Sequence, residues 1–597
     1  MEDDCEPVVS FEDMVDEAPI VFPKPADRPC WGVYDEWVEV GGKRKTPGVY
    51  RHTMSEETNK APSAPVDTWI SGPVHLEALT RSDEGQDFGV LIRFTDREGS
   101  TRRWAMPYEL LNADGADLRR ELLSMGLAIS PTQRTKLGEY LQHKTPKRKV
   151  LCTGRTGWAG KSAFVLPDCV IGPGADGVVF QDGGRMGKGH GVAGTLESWQ
   201  QNVARYAIGN PMLMFTMSAA FSPPLLEPTN CEGGGFHEIG GSSCGKTTKL
   251  EAARSVWGGP DFKRSWRATS NGVEGVAEQH NDCLLPMDEI SEVDPREAGA
   301  ISYMLANGVG KSRATRTGAS RPPKRWRTGV SSTGERSLEA TMREGRVATK
   351  AGQSIRLVDV PTDGRKHGVF DELHGHKSGR AISDAIKHGT KRHYGTAIRA
   401  FLDKLTRDDR DFCELLELTK SLPQFSTNGG MQEQRVAARF ALAAMAGELA
   451  SEYGITGWPE DAAIQAASTA FNAWLGFRGI GDDEPRKVRQ AVREFLERHG
   501  GSRFIESEAD TALLQARESA VRDRAGYYTS TLEGGRLYWF NSAAMKEATT
   551  GFDMATVTAV LTECGALERG TDRPTQQRKF HGANGRWYVI NPDRLEG

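Results

Sequence analysis

The chain has 597 residues, a formal net charge of −4 and a hydrophobic content of 38%. This length predicts several domains with sizeable cores, and the charge excludes a protein that is basic over its whole surface. The cysteines are scattered, without a C-x-x-C pair, and no apolar run is long enough to cross a membrane. We therefore expect a cytoplasmic protein with reduced thiols, no structural zinc and no membrane partner.

The N-terminal part of the chain carries no motif with a recognisable chemistry. Residues 1–66 begin with an acidic stretch and continue as a polar one, so we interpret them as a disordered arm or linker. Residues 67–150 contain β-like runs and two helical ones, which predict a small α+β domain. Residues 151–234 predict a β-rich segment followed by helices.

A glycine-rich run comes next, between a predicted strand and a predicted helix. It reads Gly240-Gly241-Ser242-Ser243-Cys244-Gly245-Lys246-Thr247, followed by Thr248. This run fits the phosphate-loop pattern G-x-x-x-x-G-K-[ST], in which backbone N–H groups and a helix N-terminus surround a triphosphate. We predict that residues 240–248 bind ATP, with Lys246 on the β- and γ-phosphates and Thr247 on Mg²⁺.

A short apolar run at residues 283–289 ends in Asp288 and Glu289. A buried parallel strand would present both carboxylates at its C-terminal end, although Pro286 removes one hydrogen-bond donor from such a strand. Hydrolysis of the γ-phosphate requires one group that holds Mg²⁺ and another that polarises water. We predict that Asp288 serves the metal and Glu289 the water.

Residues 311–327 include basic side chains and no acidic one. The basic residues are Lys311, Arg313, Arg316, Arg321, Lys324, Arg325 and Arg327. Glycines on either side allow an exposed hairpin, and such a hairpin in the pore of a ring helicase would follow DNA phosphates without reading sequence. We predict DNA contacts for Lys311, Arg313 and Arg316; the alternative is a solvated basic face.

Two further strands, at residues 326–335 and 354–360, complete an alternation of strands and helices over residues 235–365. This alternation predicts a parallel sheet with helices on both faces, an α/β fold. In ring-forming AAA+ ATPases the strand after the acidic one ends in a small polar residue that senses the γ-phosphate, which would be Ser332 or Thr333. A ring ATPase also needs an arginine supplied by a neighbouring subunit. Of the arginines near these strands we choose Arg356, and Arg336, Arg343 and Arg346 are the alternatives.

Helical patterns dominate residues 366–480 and predict a helical lid. Residues 485–597 combine helices with a final hairpin, which suggests a winged-helix-like domain. Arg578 and Lys579 would lie on or near its wing and contact DNA. A protein-docking role is the alternative, because this fold alone does not settle function.

Several segments resemble, in order, the Cch-like helicase ATPases of mobile genetic elements. They are residues 235–248, 265–272, 284–290, 303–311, 332–335 and 351–357. The resemblance covers about residues 154–474. It implies an AAA+ fold related to MCM-type helicases, a hexameric ring, and translocation on single-stranded or forked DNA driven by ATP and Mg²⁺. The setting it implies is replication of a phage, plasmid or integrative element, with replication proteins of the element or host as candidate partners.

The sequence therefore predicts a ring-forming DNA helicase. One alternative is an ATP-regulated DNA-binding switch or scaffold with little unwinding activity. Another is an ATPase that translocates protein, which would be expected to carry an aromatic–apolar pair in its pore loop where this chain carries a basic run.

Overall fold

A computed structural model describes most of the chain. The described residues are 21–58, 62–82, 85–181, 188–311, 313–314, 320–321, 323–345, 355–362, 364–427, 429–478, 483–507, 521, 523–531, 534–550, 552–580 and 583–595. The chain divides into two compact units, the first formed by Met1–Arg155 with Ala159–Arg185 and the second by Thr156–Trp158 with Met186–Gly597. Within the described ranges, every helix is too short or too polar to span a lipid bilayer.

The first unit is built mainly from antiparallel strands. Its strands are β1 (Cys30–Tyr34), β2 (Val38–Val40), β3 (Lys43–Lys45), β4 (Gly48–Met54), β5 (Pro65–Ser71), β6 (Val74–Arg81), β7 (Gly89–Thr95), β8 (Thr101–Pro107), β9 (Lys149–Thr153), β11 (Phe164–Val165), β12 (Val170–Ile171) and β13 (Val178–Phe180). The short strand β10 (Gly157–Trp158) belongs to the second unit. One sheet has the order β13-β9-β6-β7-β8 and another the order β1-β4-β5. Helices α1 (Ala116–Ser124) and α2 (Lys136–Gln142) contribute leucines to its main core.

The interpretation of residues 1–66 as a disordered arm is wrong for the part that the structure describes. Strands β1 to β4 and the start of β5 lie in this stretch, and Tyr34, Val49 and Tyr50 are buried. His52 is also buried, and its ring nitrogens lie 3.0 Å from the Tyr34 hydroxyl and 2.7 Å from Asp67 Oδ1. The average composition is polar, but short strands need only a few buried side chains, which this average conceals. Residues 1–20 lie outside the described residues.

The second unit contains the predicted parallel sheet. Its strands are β14 (Gly234–Ile239), β15 (Arg264–Ser265), β16 (Leu284–Asp288), β19 (Gly329–Gly334) and β20 (Leu357–Pro361), and a separate pair is formed by β17 (Arg313–Ala314) and β18 (Ser320–Arg321). The order in the sheet is β15-β16-β19-β14-β20, with parallel pairing throughout. Strand β16 forms despite Pro286, which stands opposite Ser331 of β19.

Helices cover both faces of this sheet. The helices of this region are α3 (Leu196–Asn202), α4 (Pro211–Phe221), α5 (Lys246–Trp257), α6 (Ser270–Gln279), α7 (Pro295–Asn307) and α8 (Leu338–Glu344), of which α3 lies against α5 through the Trp199–Ser255 hydrogen bond. On one face, Leu285 and Met287 of β16 pack in a core with residues of α6, α7 and α8. On the other face, Phe236 of β14 packs 4.8 Å from Phe215 of α4, measured between ring centroids. Successive side chains of a strand point to opposite faces, so the sheet has two apolar faces and needs two helical layers.

The remaining elements of this unit are mostly helical before they return to strands. The helices are α9 (Gly379–Arg392), α10 (Thr396–Leu405), α11 (Phe412–Lys420), α12 (Met431–Glu452), α13 (Ala462–Arg478), α14 (Asp483–His499), α15 (Ser542–Ala548) and α16 (Met554–Glu563). The strands are β21 (Phe504–Glu506), β22 (Gly526–Ser530), β23 (Arg536–Phe540), β24 (Leu567–Glu568), β25 (Gln576–Phe580) and β26 (Ala583–Ile590). They form a sheet of order β21-β22-β23-β26-β24, and β25 pairs with β26. The final hairpin β25–β26 matches the sequence prediction, whereas strands β21 to β23 were not predicted.

Candidate active site

The glycine-rich run forms a turn between β14 and α5, as its pattern predicts. Ser243 has a φ of 60° and Gly245 a φ of 113°, and both values lie in the left-handed region. A Cβ atom added to Gly245 would approach Cγ2 of Val369 to 2.7 Å. Gly245 is therefore required both by the backbone conformation and by the close packing of Val369.

Lys246 opens helix α5 and folds back over this loop. Its Nζ donates hydrogen bonds to the carbonyl oxygens of Gly240 and Gly241, both at 2.7 Å. Thr247 is exposed at the first turn of the helix, whereas Thr248 is buried. The structure thus places a buried ammonium and an exposed hydroxyl beside the same loop, where ATP and Mg²⁺ are predicted to bind.

A segment after β20 supports the loop from the side. The N–H of Val369 donates to the carbonyl of Cys244 at 3.0 Å. Gly368 has a φ of 79°, and a Cβ atom there would lie 2.5 Å from the same carbonyl oxygen. This contact joins residues far apart in sequence and carries no local motif, so sequence reasoning missed it.

A buried ion pair lies beneath the loop. Nζ of Lys249 on α5 lies 2.8 Å from Oε2 of Glu238 on β14, but the two groups are not aligned as a hydrogen bond. Both side chains are almost fully buried. The Thr216 hydroxyl donates to the other carboxylate oxygen of Glu238. Burial lowers the pKa of Lys249, while the charge of Glu238 acts in the opposite direction. The pair fixes α5 against β14.

The sheet order brings the acidic strand to this site. Strand β19 lies between β14 and β16, so the C-terminal ends of all three meet at one edge. The Thr333 hydroxyl donates to Asp288 Oδ1 at 2.7 Å. Glu289 follows with a φ of 58°, a strained value for a residue with a side chain, and its Oε1 accepts a hydrogen bond from Ser291 at 2.7 Å. The structure therefore places Thr333, Asp288 and Glu289 side by side.

Lys263 is a further member of this cluster that sequence reasoning missed. Its Nζ lies 2.8 Å from Asp288 Oδ2 and 3.1 Å from Glu251 of α5. Burial lowers the pKa of Lys263, but the hydrogen bond to Asp288 and the charge of Glu251 outweigh this and raise it overall. Lys263 thus adds a positive charge beside the carboxylate that is predicted to serve Mg²⁺.

A second hydrogen-bond network separates the roles of Ser332 and Thr333. Nδ1 of His237 lies 2.8 Å from the Ser332 hydroxyl, and Nε2 lies 2.9 Å from the carbonyl of Arg336. Burial lowers the pKa of His237 to about 4, so the ring is neutral at pH 7. Because a carbonyl only accepts, Nε2 carries the proton and Nδ1 accepts from Ser332.

Trp266 completes this network, because its Nε1–H donates to the Ser332 hydroxyl at 2.9 Å. Ser332 therefore donates to His237, accepts from Trp266 and is fully buried. Thr333 instead contacts the acidic pair. Of the two residues that the sequence left open, Thr333 is the one that faces the predicted phosphate and metal site.

The oxygen atoms of Thr247 and Asp288 fit Mg²⁺, which prefers carboxylate, hydroxyl and phosphate oxygens. Across the described ranges, no group of three or more His, Cys, Asp or Glu side chains could hold a metal ion.

The structure does not bring Arg356 to the phosphate loop of its own chain. Its carbonyl accepts from the N–H of Gly235 at the N-terminal end of β14, and its guanidinium lies 4.7 Å from the ring centroid of Tyr303. Arg336 instead follows β19 at the same sheet edge as Thr333, where its exposed side chain pairs with Glu344 at 2.7 Å. A role for Arg356 toward a neighbouring subunit stays a prediction.

The predicted DNA contacts lie in two places. Strands β17 and β18 form an antiparallel hairpin in which Arg313 is opposite Arg321. Lys311 is exposed at its start and donates to Asn271 Oδ1 at 3.3 Å, whereas Arg316 lies outside the described residues.

The basic run is partly neutralised within the chain. Lys324 pairs with Glu278, and Arg327 pairs with Asp282 at 3.1 Å. These two cations therefore contribute less to an exposed basic surface than the sequence suggests.

Arg578 and Lys579 are exposed on β25, on a different sheet from the phosphate loop. The Arg578 guanidinium lies 4.6 Å from the ring centroid of Trp539 and 5.2 Å from that of Phe580. Strand β25 of the C-terminal hairpin thus carries an arginine that is stacked on an aromatic surface.

Comparisons with known proteins agree with the resemblance seen in the sequence. Residues 43–325 match the family described as a domain of unknown function, DUF927. Comparison with curated proteins gives no match. A solved structure titled "SCCmec type IV Cch - active helicase" superimposes with a TM-score of 0.67 at 16% sequence identity, over 92% of this chain and 97% of that chain. The predicted resemblance to Cch-like helicases is confirmed, and the chain has the fold of that helicase.

Proposed function

We propose that this protein is an ATP-dependent, ring-forming DNA helicase or translocase that acts in the replication of a mobile genetic element. The observation that carries this proposal is the meeting of Lys246, Thr333, Asp288 and Glu289 at one edge of a parallel sheet. The likeness to a Cch helicase supports it through the fold.

Each of these side chains has a task in hydrolysis of ATP. Lys246 binds the β- and γ-phosphates. The Thr333 hydroxyl donates to Asp288 in the absence of a ligand, and it turns to donate to the γ-phosphate as negative charge develops there. Glu289 accepts a hydrogen bond from the attacking water and orients it in line with the bond that breaks. Mg²⁺, when bound through Thr247 and Asp288, supplies neutralisation of phosphate charge.

Lys263 positions this machinery rather than reacting. Its ammonium holds Asp288 from the side opposite Thr333, since the two partners occupy different carboxylate oxygens. The Asp288 carboxylate is thereby oriented by two donors before any ligand arrives, and preorganisation of this kind lowers the cost of reaching the reactive geometry.

DNA binding is assigned to the hairpin and the C-terminal region. We place Lys311, Arg313 and Arg316 against the DNA backbone in the pore of a hexamer, and Arg578 and Lys579 on the wing of a winged-helix-like domain. An arginine from the neighbouring subunit completes the ATP site, and both Arg356 and Arg336 are candidates. The domain boundaries at residues 234, 365 and 480 are part of this proposal.

The test is steady-state ATP hydrolysis with and without single-stranded DNA. Lys246→Ala and Glu289→Gln should each abolish turnover while the melting temperature stays close to that of the wild type. Lys391→Ala is the matched control, because Lys391 is an exposed lysine on α9. Turnover retained by Lys246→Ala would refute the site.

The same assay separates the two function classes. Hydrolysis that DNA accelerates supports a motor, and unwinding of a forked substrate would then be measured. Slow hydrolysis that ignores DNA would instead support an ATP-regulated DNA-binding switch.

A further inference from the structure

A chain of charged side chains leads from Asp288, the predicted metal ligand, into the protein interior. The Lys263 ammonium lies 2.8 Å from Asp288 Oδ2 and 3.1 Å from Glu251 Oε1 on helix α5. The other carboxylate oxygen of Glu251, Oε2, lies 2.8 Å from both Nε and Nη2 of Arg254. Acidic and basic groups therefore alternate along this chain, and their formal charges sum to zero.

The inner end of the chain is fixed by the backbone. Arg254 is fully buried, and it donates to the carbonyl oxygen of Gly258 at 2.7 Å and to that of Thr390 on α9 at 3.2 Å. Its Nε and Nη2 hold Oε2 of Glu251, which leaves Oε1 of Glu251 directed at Lys263. Glu251 therefore presents a negative charge to Lys263 from a fixed position.

The outer end of the chain carries two opposing effects on a metal ion. Lys263 donates to Oδ2 of Asp288 while Thr333 donates to Oδ1, so the carboxylate is oriented from both sides. An ammonium next to a metal ligand also repels a divalent cation. The Lys263 side chain is only 29% exposed, so water and salt screen this repulsion incompletely.

We propose that Glu251 is a positioning residue of the ATP site. Its carboxylate neutralises Lys263, so that Lys263 orients Asp288 without repelling Mg²⁺. This inference rests on the proposed function, because it takes Asp288 as the residue that holds the metal. Glu251 itself touches neither the nucleotide nor the metal, and it acts through Lys263.

The net charge of the chain gives an order of metal affinities. It is zero in the wild type, +1 in Glu251→Gln, −1 in Lys263→Met and zero again in the double variant. All other charges around the site are the same in the four proteins. Glu251→Gln should therefore bind the metal most weakly, the double variant like the wild type, and Lys263→Met at least as tightly. Loss of a group that supports a metal ligand typically costs about 10–100-fold in affinity, and we expect about tenfold for Glu251→Gln.

The test measures binding of Mn²⁺, as a probe for Mg²⁺, to the full chain in the presence of ADP. Free Mn²⁺ is followed by electron paramagnetic resonance, so the result does not depend on turnover. The Mg²⁺ concentration that gives half-maximal ATP hydrolysis is measured on the same proteins and should follow the same order. Glu417→Gln is the matched control, because it removes an acid from an exposed pair with Lys420 on α11.

The double variant separates this role from a general loss of stability. Glu251→Gln withdraws a charge from buried Arg254 as well as from Lys263, so its melting temperature should fall. The double variant keeps the loss at Arg254 and should also melt below the wild type, yet its Mn²⁺ affinity should return to the wild-type value. Equal weakening of Mn²⁺ binding in Glu251→Gln and in the double variant would overturn the inference.

Lys263→Met alone decides the question if Glu251→Gln does not fold. Lys263 lies at the partly exposed end of the chain, so this variant should fold normally. If it bound Mn²⁺ about tenfold more weakly than the wild type, Lys263 would support the metal outright and would need no neutralisation by Glu251.

Failure of the proposed function would be seen in the wild type. A wild-type protein that neither binds Mn²⁺ with ADP nor hydrolyses ATP would refute the metal site and this inference together. If the wild type does both and Glu251→Gln keeps the wild-type Mn²⁺ affinity, the inference alone is overturned.

Discussion

The two adjacent residues Ser332 and Thr333 should have different functions, although either fits the pattern of a γ-phosphate sensor. Thr333→Ala removes the hydroxyl that donates to Asp288 and that we propose turns to the reacting phosphate when ATP is bound. Removal of one hydrogen-bond donor to the reacting group typically lowers kcat by about 10²–10³, or roughly 3–4 kcal/mol of transition-state stabilisation. Thr333→Ser keeps the hydroxyl and should recover most of the activity.

Ser332→Ala should act on stability instead. It leaves the indole N–H of Trp266 and Nδ1 of His237 without their buried partner, at roughly 1–3 kcal/mol for each group. The melting temperature should therefore fall by several degrees, since about 1 kcal/mol shifts it by roughly 2–4 °C in a domain of about 150–250 residues.

The assay combines steady-state kcat at saturating ATP with thermal melting of the same preparations. Loss of turnover with an unchanged melting temperature is expected for Thr333→Ala, and a lowered melting temperature for Ser332→Ala. The reasoning fails if Ser332→Ala melts like the wild type and loses kcat while Thr333→Ala keeps it.

Three further predictions follow from buried groups and glycines. Asp359 has a folded-state pKa of about 7, raised above 3.8, so its contribution to stability is present at acidic pH and lost as the pH rises toward 7. Asp359→Asn should therefore melt at a higher temperature than the wild type, and this difference should widen between pH 5 and pH 8. The corresponding gain in the free energy of unfolding should reach about 4 kcal/mol. Parallel pH profiles of the two proteins would contradict this. Lys249→Met should destabilise the fold by about 3–5 kcal/mol because Glu238 keeps an unpaired buried charge, and the double variant Lys249→Met/Glu238→Gln should recover much of the loss in denaturant unfolding. Gly368→Ala should raise KM for ATP because its Cβ would press on the phosphate loop, whereas Gly364→Ala, with a similar φ of 81° and nothing within 4 Å, controls for backbone strain; equal effects of the two would refute the contact.

The parts of the site that the sequence predicts are those encoded by neighbouring residues. The phosphate loop and the acidic strand each occupy one short run, so residue type and spacing were sufficient to find them. Strands β14, β16 and β19 also follow from apolar runs bounded by turns.

Other parts depend on contacts between distant segments. Lys263 reaches Asp288, and Val369 reaches Cys244, only because the sheet brings their elements together. The choice between Ser332 and Thr333 likewise depends on which face of β19 each residue takes, and a shift of one residue exchanges the two. The strands of residues 30–54 were missed for a different reason, since their buried positions are few and separated by polar ones.

The position of Lys246 has a consequence for how tightly ATP binds. Its ammonium already has two carbonyl partners within the loop, so a phosphate must replace these bonds rather than add to a free charge. The affinity gained through Lys246 is then the difference between two sets of charge-assisted hydrogen bonds. Ligands with a weakly charged phosphate should displace the carbonyls poorly, and discrimination in favour of triphosphates would come from this exchange.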